Sequence, residues 1–286
     1  MGNCILGSIG RWTNKCTFSG GSWNSSYPVS NLNVLPLSKV ARSVDLNTAN
    51  TQFIATLDEQ RPVQLIGIAN HNLSLDALIR VTLYSDAGLT NLIYDTGWQY
   101  VWPSVYTPDQ LIWENDNFFS CTYTQDQILD YKPPRVFWLN QVYVPIAIKV
   151  EISDATNTSG YTEIGLFEVA QGWQTSVNIS YNSQYGFRFR TDSEEALGGV
   201  KYFDREDKPT VFQGTINYLP QAEAKAQAFE HFRQMDLDTP FIWILNPDDQ
   251  INLLRDSFLA RNLDPGLITY AAYNANTVPF KFEQVL

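Results

Sequence analysis

The sequence predicts a mainly β protein in which a β-sandwich is followed by a smaller β domain with one helix. Residues 63–85 hold two apolar runs around the polar loop Asn70-His71-Asn72. Several further short runs alternate apolar with polar residues and end at turn-forming residues, which is typical of a sandwich. Residues 221–235 lack this alternation and are rich in strong helix formers, which predicts a helix.

Size and charge limit the classes of partner. The chain has 286 residues, of which 44% are hydrophobic, so it is long enough for two globular domains. A formal net charge of −11 repels phosphate backbones and anionic lipids, and no apolar run is long enough to span a membrane. Three irregularly spaced cysteines indicate free thiols in a reducing compartment rather than disulfides or a zinc site. We therefore predict no nucleic-acid partner and no membrane insertion.

The first strands are predicted from their patterning. In residues 51–57, Phe53, Ala55 and Leu57 share one face of an extended chain. Residues 63–70 are apolar on both faces, which predicts a strand buried on both sides. Residues 79–84 alternate regularly and predict a strand with one solvent-exposed face.

Residues 97–119 are unusually aromatic and fit no single period. We interpret them as a long loop that is functional or covers another surface. Strands predicted for residues 136–139, 146–152 and 161–169 complete the sandwich.

The pattern changes at residues 170–173, and we place a domain boundary there. The predicted domains are residues 1–170, a β-sandwich, and residues 171–286, a smaller β domain with a helix at about residues 221–237. The predicted strands of the second domain are residues 174–181, 185–191, 199–203, 210–219, 240–245, 267–273 and 278–285.

Several segments resemble discoidin-like, galactose-binding-type jelly rolls. Residues 148–154, followed by Asn157, Gly160-Tyr161 and residues 163–167, resemble the last strands of such domains, and so do residues 63–85 with their Asn-His-Asn-Leu-Ser loop. The segments Tyr27-Pro28-Val29, Asn31-Leu32 and Ala41-Arg42-Ser43 resemble the entry to these domains in tail proteins of long-tailed bacteriophages. The resemblance covers residues 20–170 and implies that the sandwich is a jelly roll.

The order of strands and helix in residues 171–286 is similar to the tail-tube-like domain of phage distal tail and baseplate proteins, a resemblance of element order without a residue motif. It implies a small β-barrel with one flanking helix. It also implies a structural virion component of the tail tip, made in the host cytoplasm, that links the tail tube to the distal tip. The implied partners are other copies of itself in a ring, together with tail tube and baseplate proteins. The alternative is a carbohydrate-binding module that recognises a host-surface glycan during adsorption.

The sequence does not indicate an enzyme. His71 and His231 fall in different predicted domains, and neither G-x-S-x-G nor H-E-x-x-H occurs. We predict no catalytic residue, no cofactor and no metal site. Asp154, Thr156 and Asn157 carry the oxygen ligands that calcium prefers, but the same residue types form turns.

Two groups of residues are candidates for binding a ligand. His71 and Asn72 could donate hydrogen bonds to a sugar, or cap the backbone of their loop. Aromatic rings of residues 97–119 could stack on a sugar or pack in the sandwich, and we favour a third role at a subunit interface. The candidate ligand-binding residues are His71, Asn72, Trp98, Tyr100, Trp102 and Tyr106.

Overall fold

A computed structural model describes residues 2–129, 131–264 and 266–286. The protein is mainly β, as the sequence predicts. It divides into two compact units, of which the first comprises Met1–Thr175 and Phe241–Phe258 and the second comprises Ser176–Pro240 and Leu259–Leu286.

Strands and helices are numbered in chain order. The first twelve strands are β1 (Ile5–Leu6), β2 (Cys16–Ser19), β3 (Ala41–Arg42), β4 (Phe53–Leu57), β5 (Val63–His71), β6 (Leu78–Tyr84), β7 (Leu92–Asp95), β8 (Gln99–Tyr100), β9 (Arg135–Tyr143), β10 (Ala147–Ser153), β11 (Glu163–Ala170) and β12 (Trp173–Gln174). The others are β13 (Gln184–Phe187), β14 (Asp192–Glu195), β15 (Lys201–Asp204), β16 (Thr210–Pro220), β17 (Phe241–Ile244), β18 (Ser257–Asn262), β19 (Thr269–Ala272) and β20 (Ala275–Gln284). The α-helices are α1 (Gln125–Leu129), α2 (Gln221–Glu223), α3 (Phe229–Gln234) and α4 (Leu253–Asp256), and the 3₁₀ turns are Thr13–Lys15, Val29–Asn33 and Pro108–Gln110.

Two antiparallel sheets form the predicted sandwich in the first unit. Their strand orders are β2-β4-β10-β6-β7, with β8 also pairing with β6, and β3-β11-β5-β9. Phe53 of β4 and Phe167 of β11 meet edge to face with ring centroids 5.1 Å apart, and both belong to one continuous apolar core. The predicted alternation of β4 is confirmed, because Phe53, Ala55 and Leu57 are all buried.

Strand β5 is buried on both faces, as predicted. Ile66 and Ile68 pack in the core of the sandwich. On the other face, a Cβ atom added to Gly67 would lie 2.4 Å from Cδ1 of Ile242, a residue of β17. Strands β5 and β17 therefore approach closely at Gly67, and a larger residue there would displace the side chain of Ile242.

The position of β17 corrects the sequence analysis, which placed it among the strands of the second domain. It pairs with β1, the short strand at the start of the chain, through Ile5 with Ile244 and Leu6 with Trp243. The first unit thus extends past the predicted limit of residue 170 to Thr175 and includes Phe241–Phe258. Whether residues 1–170 and 171–286 fold separately stays a prediction.

The second unit contains an antiparallel sheet with strands in the order β18-β20-β16-β13, and β19 pairs with β20. Strands β14 and β15 form a separate hairpin. The prediction of a strand at residues 174–181 is wrong beyond Gln174, because β12 ends there. Val177 and Ile179 are only half-buried and Tyr181 is exposed, so this stretch lacks a sheet face to pack against.

The predicted helix is present but ends earlier, at Gln234, because Met235 adopts an extended conformation. A π-helical turn, Ala224–Ala228, joins α2 to α3. The extra residue of this turn changes which side chains face the sheet. Phe229 is exposed, whereas Ala224, Ala228 and His231 are buried. None of the helices in the described ranges is long and apolar enough to cross a membrane.

Candidate functional site

A cleft of about 550 Å³ in the first unit brings together segments that are far apart in the sequence. Residues 70–74 at the end of β5 form one wall, residues 156–159 after β10 form another, and residues 125–129 and 131–133 form a third. His71, Asn72 and Trp102, three of the six candidate ligand residues, line this cleft.

Asp154 ties two of these walls together. Its buried carboxylate accepts hydrogen bonds from the backbone N–H and the hydroxyl of Ser74, and from Nδ2 of Asn157 at 3.0 Å. The oxygens that the sequence offered to calcium at Asp154 are therefore used to hold the loops. The part of the chain that the structure describes contains no group of three His, Cys, Asp or Glu residues suited to a metal ion.

The side chain of Asn72 forms hydrogen bonds with backbone atoms of a neighbouring segment. Its Nδ2 donates to the carbonyl oxygen of Tyr161 at 3.0 Å, and its Oδ1 accepts from the N–H of Glu163 at 2.7 Å. Asn157 donates to the carbonyl oxygen of Asn72 at 2.9 Å. The side chain of Asn72 thus bonds the backbone of residues 161–163 rather than that of its own loop, and ligand binding by Asn72 stays a prediction.

His71 is half-buried, and its Nδ1 is enclosed without a hydrogen-bond partner among the described residues. Its ring meets the ring of Trp102 edge to face, with centroids 5.7 Å apart. Burial, with a smaller contribution from the charge of Arg135, lowers the pKa of His71 to about 4. The imidazole is therefore neutral at pH 7 and brings no charge to the cleft.

The burial of Trp102 differs from the prediction, which placed its ring at a subunit interface. The side chain is only 4% exposed and belongs to the core of the sandwich. Its Nε1–H donates to the carbonyl oxygen of Leu73 at 3.1 Å. The ring thus supports the 70–74 loop and presents little of its surface to the cleft that it lines.

The other three aromatic candidates lie elsewhere in the first unit. Trp98 and Tyr100 are exposed, and Tyr100 pairs with Leu78 in the sheet. Tyr106 lines a separate cleft of about 430 Å³ and lies beneath the guanidinium of Arg255, 5.1 Å from the ring centroid. The structure therefore separates these three residues from His71, Asn72 and Trp102.

The sequence analysis missed most of the lining residues of the cleft. Gln125, Leu129, Thr158 and Ser159 are exposed on its walls, and Ile128 is half-buried. The only signal for them was the turn around Asn157, which was read as a possible calcium loop. Polar side chains in short loops have no periodic pattern, so their meeting depends on the tertiary fold.

Glu163 lines the cleft and accepts a hydrogen bond from Nε of Arg42 at 2.6 Å. Asp154 is buried outside the lining and is bound to Ser74 and Asn157. Hydrolysis of a glycosidic bond requires two carboxyl groups placed across the scissile bond. Among the described lining residues Glu163 is the single carboxylate, beside amide, hydroxyl and apolar side chains and Lys132.

Comparisons with known proteins give structural neighbours only. No model of a known protein family matches the chain, and no curated protein matches it. The family 32 carbohydrate-binding module of Clostridium perfringens NanJ, solved with galactose, has 12% identity and a TM-score of 0.37, and the match covers 58% of this chain and 98% of that one.

Two further solved structures are similar at the same level. The module CBM32-1 of a family 31 glycoside hydrolase from Clostridium perfringens has 11% identity and a TM-score of 0.35, covering 55% of this chain and 95% of that one. Reduced XRCC1 bound to the DNA pol beta catalytic domain has 13% identity and a TM-score of 0.32, and the match covers 56% of this chain and 97% of that one. At these TM-scores only part of the geometry is shared. The bound galactose is a property of the NanJ module.

Proposed function

We propose that the first unit is a non-catalytic carbohydrate-binding module that holds a host-surface glycan in the 550 Å³ cleft. The observation that carries this proposal is the lining of the cleft. Exposed hydroxyl and amide groups of Thr158, Ser159 and Gln125 lie around the apolar side chains of Ile128 and Leu129. A sugar presents the same two surfaces, since its hydroxyls need hydrogen bonds and its C–H face prefers apolar contact.

The size and rigidity of the cleft support a small ligand. Its volume falls within the range of about 300–1,000 Å³ that small-molecule sites occupy. Asp154, Asn72 and Asn157 hold the walls through hydrogen bonds that do not involve a ligand. A site that is already ordered loses less entropy when the ligand binds. We therefore propose that one or two sugar residues fill the cleft.

The test is a binding screen of the full chain against immobilised glycans, with two tryptophan variants. Ser159→Trp places a large ring in the cleft, and Ser19→Trp places the same ring at an exposed serine of β2 that does not line the cleft. We expect wild type and Ser19→Trp to bind the same glycan and Ser159→Trp to lose at least tenfold in affinity. Equal binding by Ser159→Trp would overturn the proposal.

We propose assembly with partner chains as a second candidate function, on a separate observation, and the phage tail tip is the setting that the resemblance in the sequence implies. The second unit exposes large apolar side chains, among them Phe189, Tyr202, Phe203, Leu267 and Tyr270. Exposed apolar residues in such numbers mark interaction surfaces. The resemblance to phage distal tail proteins supports copies of the same chain, tail tube proteins and baseplate proteins as the partners, and the virion as the location.

Negative-stain electron microscopy of the purified full chain tests the assembly role. We expect rings or other regular oligomers, because exposed aromatic side chains lose water when two chains associate. Particles of monomer size over the whole accessible concentration range would contradict assembly from copies of this chain. The glycan-binding proposal would be unaffected by that result.

A further inference from the structure

Three arginines converge on one carboxylate in the second unit. Glu283 is 1% exposed, and its Oε1 lies 3.3 Å from Arg188 Nη1 and 3.1 Å from Arg190 Nη2. Its Oε2 lies 2.8 Å from Arg261 Nη2. In the part of the chain that the structure describes, these arginines form ion pairs with no other carboxylate. Two positive charges of this arginine cluster are therefore uncompensated.

The uncompensated charge lies at the surface. Burial raises the pKa of Glu283, but hydrogen bonds from Arg261 and Arg190 outweigh it and hold the pKa below its ordinary value. Glu283 is thus ionised and supplies a single negative charge. The side chains of Arg188 and Arg261 are 60% and 40% exposed, so they can also meet an anion from solvent. This cationic surface is unusual in a chain with a net charge of −11.

The hairpin of β14 and β15 carries the complementary charge. Residues directly opposite each other in an antiparallel pair lie on the same face. The register places Asp192 opposite Asp204 and Glu194 opposite Tyr202, so three carboxylates and one tyrosine share one face, which we call the acidic face. Among the described residues, none of these three carboxylates forms an ion pair.

The hairpin is also poorly supported within its own chain. All eight residues of its two strands are exposed, and they pair only with each other. A two-stranded hairpin alone is marginally stable in water, and like charges directly opposite each other, such as Asp192 and Asp204, destabilise it further. Cations from a partner would remove this repulsion.

We propose that the acidic face of the hairpin in one copy docks on the arginine cluster of a second copy. The inference rests on the second proposed function, assembly, and names the surfaces that it uses. Because each copy carries both surfaces, the contact is made either twice about a two-fold axis or head-to-tail in a ring or filament. Tyr202 shares the acidic face with the three carboxylates and adds apolar contact with the aliphatic part of the arginines.

The test measures the mass of the full chain by light scattering across a range of concentrations. Glu194→Lys reverses a charge on the acidic face, and Glu195→Lys is the matched control on the opposite face of the same strand. We expect Glu194→Lys to weaken association at least tenfold and Glu195→Lys to leave it within about twofold. Association of wild type should also weaken as salt is raised.

A charge swap tests the pairing itself. Arg188→Glu should weaken association alone, and the double variant Arg188→Glu/Glu194→Lys should restore it, since the two charges have exchanged places. Melting followed by circular dichroism checks that each variant folds. Wild-type association of Glu194→Lys, or equal loss in Glu195→Lys, would overturn the inference while leaving assembly intact. A monomeric wild type would overturn both.

Discussion

The indole N–H of Trp102 donates a hydrogen bond of 3.1 Å to the backbone carbonyl oxygen of Leu73. Leu73 belongs to the loop that forms one wall of the cleft, and Trp102 belongs to the core of the sandwich. The bond therefore connects the stability of the first unit to the shape of its candidate site.

Replacing Trp102 with alanine should destabilise the protein by about 3–5 kcal/mol, because a large buried side chain leaves a cavity. Denaturant unfolding measures this change. Trp113→Ala is the matched control, since Trp113 is 70% exposed, and should change the free energy of unfolding by no more than about 0.5 kcal/mol. Equal stability of the two variants would show that Trp102 is not a core residue.

Gly67→Ala should cost about 1–3 kcal/mol, because the new methyl group would overlap Ile242 in a packed interior. Gly198→Ala is the control, since no atom outside its chain neighbours lies within 4 Å of the added Cβ. Thermal unfolding of both variants under the same conditions gives the comparison. If Gly67→Ala melts like wild type, β17 does not cover β5.

The elements that the sequence predicted are those whose pattern is local. Strand β4 alternates apolar and polar residues, and β5 is apolar on both faces, so each could be recognised without its partners. The pairing of β17 with β1 could not, because β1 has two residues and its partner lies more than two hundred positions away.

The candidate site was predicted in part for the same reason. The polar residues Asn70-His71-Asn72 follow an apolar run and lie where β5 ends, which is a place where side chains can act. Trp102 was misjudged because aromatic residues serve cores and interfaces through the same apolar area, and only burial distinguishes the two. The Ser74–Asp154 bond joins the loop after β5 to the loop after β10, and no spacing in the sequence predicts it.

Stability should fall as the pH is lowered from about 6.5 towards 4. Burial lowers the pKa of both His71 and His231 to about 4, whereas a histidine in the unfolded chain titrates near 6.5. Between these values the unfolded state binds more protons, so the free energy of unfolding decreases with decreasing pH. Above pH 6.5 the two histidines contribute no pH dependence.

The pH dependence of the wild type alone does not isolate the histidines, because Asp256 changes the free energy of unfolding in the opposite direction. Burial raises its pKa to about 6, so protonation of Asp256 favours the folded state as the pH falls through that value. We expect His71→Gln/His231→Gln to lose stability less steeply than wild type between pH 6.5 and 5. Equal slopes, or histidine rings that titrate near 6.5 by NMR in the folded protein, would contradict the assignment.

Amide NMR shifts of the full chain during titration with a glycan that it binds test the central claim most directly. The account predicts that shifts concentrate in residues 70–74 and 156–159, which line the cleft, and that residues 184–188 of the second unit do not move. Shifts confined to residues 98–100 or to the second unit would contradict binding in this cleft.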